Sequence, residues 1–282
     1  MTPLHRKLLR DSIHMYGQIV AVTLVLACGI ATYVTMRSAY QSLVVAQASY
    51  YSGYRFADVF THVKRAPDSV SATMSEIPGV ASVQTRVVMD VTLDVPGLDE
   101  PATGRLISIP QRHTPMLNDL FLRQGRYIEP GRRGEVLVSE AFAGANRLAV
   151  GDSIDAVMNG KWERLHIVGI ALSPEYIYEI RPGDVFPDSR RFGVLWMGSD
   201  VLGPAFNMKG AFNDVAISLA RGADEREVIA RLDQLLDRYG CLGAYGRDDQ
   251  VSYRFLTDEL GELKAYGLVL PTLFICIVAF LL

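Results

Sequence analysis

The residues of this chain that could carry chemistry are few and scattered. The HExxH, CxxC and GxSxG patterns, which place metal ligands or a nucleophile on one short segment, do not occur in the 282 residues. The histidines are dispersed, and no two have the spacing of metal ligands on one helix: His5, His14, His62, His113 and His166. We therefore expect ordinary surface or partly buried histidines. The sequence predicts no catalytic, cofactor-binding or metal-binding residue, and no enzyme.

Three short polar segments are the remaining candidates for a binding site. Asn159-Gly160-Lys161-Trp162 is the nearest approach to a phosphate loop, but it lacks the upstream glycine and the Ser or Thr after the lysine. Arg247-Asp248-Asp249-Gln250 could bind a cation, although a polar turn between two elements is the simpler interpretation. Arg190-Arg191 beside Asp188 is either a local ion pair or a contact for a partner protein. Without a phosphate loop, the chain is not expected to hydrolyse ATP by itself.

Two uncharged apolar stretches bracket a long polar middle. No Asp, Glu, Lys or Arg occurs from Ser12 to Met36 or from Ala265 to Leu282. Because a bilayer core of about 30 Å needs roughly 20 apolar helical residues, we predict transmembrane helices at residues 17–36 and 266–282. The second stretch stops short at the last residue, which predicts a truncated span and either a fragment or a truncated gene.

Basic residues near the first span predict its orientation. Arg6, Lys7 and Arg10 precede it with only Asp11 opposing them, and basic residues are retained in the cytoplasm. Residues 1–16 are therefore expected to be cytoplasmic and the long middle periplasmic. The apolar run exceeds the usual signal-peptide core of about 7–15 residues, so we expect an uncleaved span.

Composition narrows the class of protein further. Apolar residues make up 49% of the chain, and the formal charge is −3, with an isoelectric point near 6.0. A nucleic-acid partner is not expected, because it needs a clustered basic surface. Cys28 and Cys276 fall in the two spans and Cys241 is alone in the middle, so no internal disulfide can form there.

Helical periodicity continues beyond both apolar stretches. Residues 37–53 and 253–265 are predicted to be stalk helices, because side chains recur at spacings of three, four and seven on one side of each. The rows are Tyr40, Leu43, Val44, Gln47, Tyr51 and Tyr54 on the first, and Leu256, Leu260, Leu263 and Gly267 on the second. The alternative for the first is a helix lying on the bilayer surface.

In the first span, Ala27 and Ala31 with Cys28, Gly29 and Thr32 form a small-residue strip that favours close helix packing.

Two distant segments share the order strand, helix, strand. In the first, residues 54–63 suit a strand, Asp68 is expected to cap a short helix, and residues 80–95 are rich in β-branched side chains. In the second, Val215, Ile217 and Leu219 alternate with small or polar residues, as a strand requires. Asp224 and Glu227 then have the spacing of a capping box, and Gly240 stands at a helix C-terminus.

These two units predict an α+β fold for the middle of the chain. Residues 54–96 and 211–252 are expected to form one ferredoxin-like, porter-like layer with both helices on one face of a sheet. Residues 97–210 contain several short β segments separated by Gly and Pro, and are expected to form an inserted, β-rich subdomain.

Several stretches then carry a family likeness. They are YYSGYRFADVFTHVKRAP, IPGVASVQTRV, EVLVSEAFAGANRLAVGDSIDAVMNGKWERLHIVGIALSPEYIY, PDSRRFGVLWMG, GAFNDVAISLARGA and GRDDQVSYRFL. With them the chain resembles, over nearly its whole length, the N-terminal part of the FtsX/MacB/LolC-like permeases of bacterial ABC transporters. The resemblance implies a permease subunit in the cell inner membrane. It also implies a separate cytoplasmic ABC ATPase subunit, a second permease unit, identical or different, in the same bilayer, and a periplasmic adaptor protein as a further candidate partner.

The resemblance also implies a mechanism, in which ATP-driven closure of the ATPase moves the stalks and so the outer domain. Family members have at least four spans, so the present chain is not expected to transport anything alone. A two-span sensor with an outer ligand-binding domain explains the same layout but not the family stretches. A membrane-anchored enzyme is the third hypothesis, and the absence of a catalytic arrangement argues against it.

Overall fold

The computed structural model of the chain describes residues 15–281. His5, His14 and the basic residues behind the predicted orientation lie outside these residues. The chain divides into two compact units, one made of the residues up to Ser49 and from Thr257 onward, the other of Tyr50–Leu256.

The described residues form both helices and strands, so the prediction of a mixed α/β protein is confirmed. The helices are α1 Tyr16–Gly53, α2 Val70–Ser75, α3 Glu140–Asn146, α4 Ser199–Ala205, α5 Glu225–Leu236 and α6 Val251–Leu281. The strands are β1 Val59–Pro67, β2 Val80–Arg86, β3 Val88–Asp94, β4 Ala102–Ile109, β5 Phe121–Gly125, β6 Glu135–Ser139, β7 Ser153–Met158, β8 Lys161–Leu172, β9 Phe192–Gly198, β10 Ala211–Leu219 and β11 Tyr245–Gly246.

Helices α1 and α6 are long and apolar enough to cross a membrane. Their most apolar 18-residue segments have mean hydropathies of 2.2 and 2.0. Helix α1 is continuous over 38 residues, or about 57 Å at 1.5 Å per residue, which exceeds the thickness of a bilayer core. Pro271 lies inside α6 without ending it.

Within the first unit, α1 and α6 pack through small side chains. A Cβ added at Gly29 would lie 2.9 Å from the Cβ of Phe274, and one at Gly267 would lie 3.4 Å from that of Met36. The predicted row on α6 is confirmed, since Leu260, Leu263 and Gly267 are half-buried.

The rows predicted on α1 need two corrections. Leu43 and Val44 were expected on the packed side but are 48% and 36% exposed. Ala27 and Ala31 are also exposed, whereas Gly29 is buried and Thr32 is half-buried. The predicted positions Gly29, Thr32, Tyr40 and Gln47 are buried or half-buried, and so are Val22, Val25 and Met36, which were not predicted. The close approach of Phe274 therefore depends on Gly29, where the absent side chain leaves room for it.

The second unit contains two sheets. The first is antiparallel, with the order β11-β1-β10-β2. The second has the order β5-β8-β6-β9-β4-β3-β7, and β7 also pairs with β8. The 12-residue β8 pairs with β7 through its first half and with β6 through its second half. The second sheet therefore closes into a ring of six strands, with β5 attached to the outside of β8.

The two faces of the first sheet pack against different sets of side chains. Residues 59, 63, 215 and 217 share one apolar cluster with Val70 and Met74 of α2 and with Val228, Leu232 and Leu236 of α5. Since side chains alternate along a strand, residues 60, 62, 214 and 216 must point to the opposite face. There Phe60 and Ala216 belong to an aromatic cluster with Tyr51 and Phe56.

The β segment predicted at residues 80–95 is divided. It breaks at Val87, so that β2 lies in the first sheet and β3 in the second. The chain therefore enters the second sheet ahead of residue 97, where we expected the insertion to begin. The reason is visible at the break, where the Val87 amide donates to the Ser108 hydroxyl (2.8 Å) and leaves the first sheet.

The two predicted helix caps differ in outcome. Asp224 accepts from the amides of Arg226 and Glu227 at the start of α5 (2.9 and 3.4 Å), as expected. Asp68 does not cap α2, because Ser69 occupies the N-cap position and makes no side-chain capping bond. The Asp68 carbonyl instead accepts from Ser71.

Replacing Gly29 by Leu should weaken the packing of α1 against α6. The new side chain would meet the Cβ of Phe274, which cannot move without its helix, so we expect a cost of about 1–3 kcal/mol. The measurement is the unfolding temperature of the protein in detergent. Gly17→Leu is the matched control, because a Cβ at Gly17 meets no atom within 4 Å. Equal unfolding temperatures for the two variants would contradict the packing described here.

Candidate functional site

Strand register places three ionisable side chains in one row. On β1, β10 and β2, which are adjacent in the first sheet, His62 pairs with Asp214, and Asp214 pairs with Arg86. All three side chains point to the face opposite α2 and α5. The sequence encodes this row only weakly, since Asp214 and Arg86 are each preceded by a polar residue, Asn213 and Thr85, as well as followed by a valine.

Arg86 is the centre of the cluster. Its Nε donates to Oδ1 of Asp214 (2.6 Å), while Nη1 and Nη2 donate to the two carboxylate oxygens of Glu175 (2.6 and 3.0 Å). The Arg86, Glu175 and Asp214 side chains are only 5%, 6% and 3% exposed. A guanidinium that is removed from water must be paired in this way, because its lost hydration is otherwise uncompensated.

The network extends from Arg86 to the start of α6. Asn118 Nδ2 donates to Glu175 (2.7 Å), and the Asn118 side-chain oxygen accepts from the Ala57 amide (2.8 Å). The side chain of Gln250 donates to the backbone carbonyl of Glu175 (2.7 Å) and accepts from the Tyr253 amide (2.7 Å), in the first turn of α6. One step further along α6, the Ser252 hydroxyl accepts from the Tyr178 amide (2.9 Å).

The buried charges shift one another's pKa values. Burial lowers the pKa of Arg86, but the carboxylates of Asp214 and Glu175 outweigh it and hold that pKa above its ordinary value. Burial raises the pKa of Asp214, but Arg86 and His62 outweigh burial and lower it. The hydrogen bond to Asp214 raises the pKa of His62, against a smaller opposing effect of burial. Arg86 and Asp214 are therefore ionised at neutral pH.

An aromatic cluster adjoins the network on the same face of the first sheet. The rings of Tyr51 and Phe56 stack at 4.6 Å, and the rings of Tyr51 and Tyr253 lie 5.7 Å apart. Arg247 lies over the Phe56 ring at 5.0 Å and pairs with Asp58 at 2.6 Å. The end of α1 and the start of α6 are thereby joined within the second unit.

The three histidines that the structure describes have different partners. His62 belongs to the network, His113 contacts Asp119 (3.0 Å), and His166 contacts the Ser153 hydroxyl (2.8 Å). Among residues 15–281, no group of three His, Cys, Asp or Glu side chains is placed to hold a metal ion.

The three polar segments have local structural roles. Asn159 and Gly160 both have positive φ angles and form the two-residue turn between β7 and β8. Arg247–Asp249 is a single 3-10 turn ahead of α6. The carboxylate of Asp188 accepts from the Arg190 and Arg191 amides, and the Arg191 guanidinium pairs with Glu100 instead (2.9 Å).

Arg86, Glu175 and Asp214 were missed from the sequence. Arg86 and Glu175 are 89 residues apart, and Arg86 and Asp214 are 128 apart, so no local spacing connects them. The available signal was weaker: Asp214 lies within the predicted strand β10, and Arg86 lies within the β-rich stretch at residues 80–95.

Comparison with known proteins gives similarity in structure alone. No family model and no curated protein matches the chain. The periplasmic region of MacB from Actinobacillus actinomycetemcomitans is similar, with 11% identity and a TM-score of 0.43, over 77% of this chain and 98% of that one. The extracellular domain of the noncanonic ABC-type transporter YknZ from Gram-positive bacteria is similar with 12% identity and a TM-score of 0.42, over 67% and 98%. TM-scores below 0.5 do not assign the chain to a family.

A further buried carboxyl group, that of Glu179, does not belong to the network described above. Glu179 is 2% exposed and accepts from the Ser139 hydroxyl (2.8 Å). Burial raises its pKa to about 8. The group is therefore a neutral acid in the folded protein at pH 7, which is the cheapest state for a carboxyl without a cation partner.

Replacing Arg86 by Leu should strongly destabilise the second unit. Two buried carboxylates would lose their positive partner, and breaking a buried ion pair in this way costs about 3–5 kcal/mol. Chemical unfolding followed by tryptophan fluorescence measures the loss. Arg164→Leu, which removes an exposed pair with Asp155, is the matched control and should cost much less, because solvent screens an exposed ion pair. Similar losses for both variants would show that the Arg86 network is not a major stabilising contact.

Replacing Glu179 by Gln should flatten the dependence of stability on pH. The folded pKa is raised to about 8 from 4.5, so its contribution is complete below pH 4.5 and is lost as the pH rises through 8. Gln keeps the hydrogen bond and cannot ionise. The measurement is the difference in unfolding temperature between wild type and variant from pH 5 to pH 9. A difference that does not change with pH would contradict the assignment.

Proposed function

We propose that the chain is part of the permease subunit of an ABC transporter, in which a separate ATPase moves an outer domain through two membrane helices. The observation that carries the proposal is the layout: two helices of membrane-spanning length and apolarity bracket a mixed α/β unit formed by Tyr50–Leu256. The family stretches of the sequence support the same class of protein.

The architecture suits mechanical coupling. We infer that the first sheet with α2 and α5 is the ferredoxin-like, porter-like layer, and that the ring of strands is the inserted subdomain. The chain then passes from the porter-like layer into the inserted subdomain at Arg86 and Val87, and the buried network lies at this position. Because Gln250 ties the first turn of α6 to Glu175 (2.7 Å), a displacement of this turn reaches both sheets through buried, directional contacts.

The partners follow from the proposal. ATP binding and hydrolysis belong to a cytoplasmic ATPase, and the bilayer surrounds the apolar parts of α1 and α6. A second permease unit, identical or different, and a periplasmic adaptor remain proposed partners. We place the second unit on the periplasmic side of the cell inner membrane and assign it no catalytic step. The transported substrate is left open, since neither sheet presents a site whose chemistry selects one.

The class of protein is tested by purifying the tagged, full-length gene product from its native membranes in mild detergent. We expect a co-purifying protein with a phosphate-loop sequence and ATP hydrolysis that vanadate inhibits. A co-purifying kinase, or a methyl-accepting helical module in the same gene product, would instead support the two-span sensor. Hydrolysis of a model substrate by the purified protein without ATP would support the membrane-anchored enzyme.

Replacing Tyr51 by Asp should uncouple the complex. Tyr51 is 7% exposed and stacks on Phe56, so a carboxylate there would disrupt the aromatic cluster. The readout is a dye attached at Leu242→Cys in a background without the native cysteines. We expect ATP hydrolysis to persist, and we expect the ATP-dependent change in the fluorescence of this dye to be lost. Leu242 is 79% exposed and accepts a label without repacking.

Val45→Asp is the control for this variant, because Val45 lies on the same helix and is 68% exposed. It should retain both the hydrolysis and the fluorescence change. A full fluorescence change in Tyr51→Asp would contradict coupling through the cluster.

A further inference from the structure

One member of the buried network differs from the others in its access to solvent. The side chain of His62 is 40% exposed, whereas that of its partner Asp214 is 3% exposed. Nδ1 of His62 lies 2.8 Å from Oδ2 of Asp214, so one edge of the ring contacts the buried carboxylate. A proton can therefore reach the cluster through His62 without opening the sheet.

The charges of the cluster do not balance without that proton. Arg86 contributes one positive charge, and Asp214 and Glu175, which it contacts directly, contribute two negative charges. With neutral His62, the buried group carries a net negative charge at low dielectric. With protonated His62, the four groups sum to zero, and Asp214 accepts from a cation on each side.

We propose that His62 is a proton-sensitive member of this network, and that its protonation strengthens the hold of the network on the two sheets. The proposal concerns the regulation of the coupling site and rests on the proposed function for its physiological meaning. Protonation gives Asp214 two charged partners, one on each neighbouring strand. Deprotonation of His62 leaves Arg86 as the positive partner of both carboxylates in the network. The contacts by which the network joins the two sheets are then weaker.

The surroundings of His62 favour the charged ring. Facing it are Asp214 from β10 and Glu175 from the 3-10 turn at Pro174–Tyr176, both of which raise its pKa, and Arg86 from β2, which lowers it. The ring of Tyr245 on β11 lies 6.3 Å away. The hydrogen bond to Asp214 outweighs both burial and Arg86, so the pKa of His62 lies above the ordinary 6.5.

The consequence for stability has a definite sign. Because the folded pKa of His62 is raised, its stabilising contribution is fully present below the unfolded value of 6.5 and is lost as the pH rises through the folded value. The contacts between the two sheets should therefore be more stable in mildly acidic than in alkaline solution.

The test uses the full chain in detergent, labelled with ¹³C at histidine, and needs no partner protein. His62→Gln removes one imidazole resonance and so assigns it. We expect that resonance to titrate above pH 6.5, and the unfolding temperature of wild type to exceed that of His62→Gln by about 2–4 °C more at pH 5.5 than at pH 9. The contribution of Glu179 cancels in this difference, because both proteins contain it.

His113→Gln is the matched control. It also removes a histidine paired with a carboxylate (3.0 Å), but one whose ring is 51% exposed and whose partner contacts no buried arginine. The proposal requires the stability difference for His62→Gln to change with pH by more than that for His113→Gln, because of these two histidines only His62 contacts the carboxylate bound to Arg86. Titration of His62 at or below pH 6.5, or a stability difference that is constant with pH, would overturn the proposal. Either result would leave the permease assignment untouched, since neither measurement involves ATP or transport.

Discussion

The guanidinium of Arg86 is held between two buried carboxylates, one in each part of the second unit. Asp214 belongs to the first sheet, and Glu175 follows β8 of the second sheet. Arg86 itself is the last residue of β2, immediately before the chain crosses into the second sheet. The cost of burying these charges is offset only when all three are present in this geometry, so the relative position of the two sheets is restricted to one that satisfies Arg86.

The rest of the second unit is organised around that restriction. One face of the first sheet buries an ordinary aliphatic core with α2 and α5. The other carries the ion network and an aromatic cluster that includes Tyr51 and Tyr253, from the ends of the two long helices. Aliphatic cores tolerate small slippage, whereas short, charge-assisted hydrogen bonds are directional. Within the second unit, the ends of α1 and α6 therefore contact an aromatic cluster and directional hydrogen bonds rather than an aliphatic core alone.

Sequence patterns predicted the elements well where burial is periodic. The alternation in β10, the apolar face of α5 and the row on α6 each follow from a one-sided core. The division of residues 80–95 between two sheets was not predictable, because β-branched residues on both sides of Val87 give one continuous signal. The network was missed for a related reason: a lone Arg86 or Asp214 is unremarkable in sequence and gains meaning only from the register of β2 and β10.

The central claim is that Arg86 and the start of α6 belong to one cooperative network, although they do not touch. A double-mutant cycle between Arg86→Met and Gln250→Ala tests it directly, with the free energy of unfolding of the full chain as the readout. Because Glu175 bonds to both residues, the account predicts a coupling energy of about 0.5–3 kcal/mol. Additivity within about 0.3–0.5 kcal/mol would show that the two residues act independently and would contradict the account.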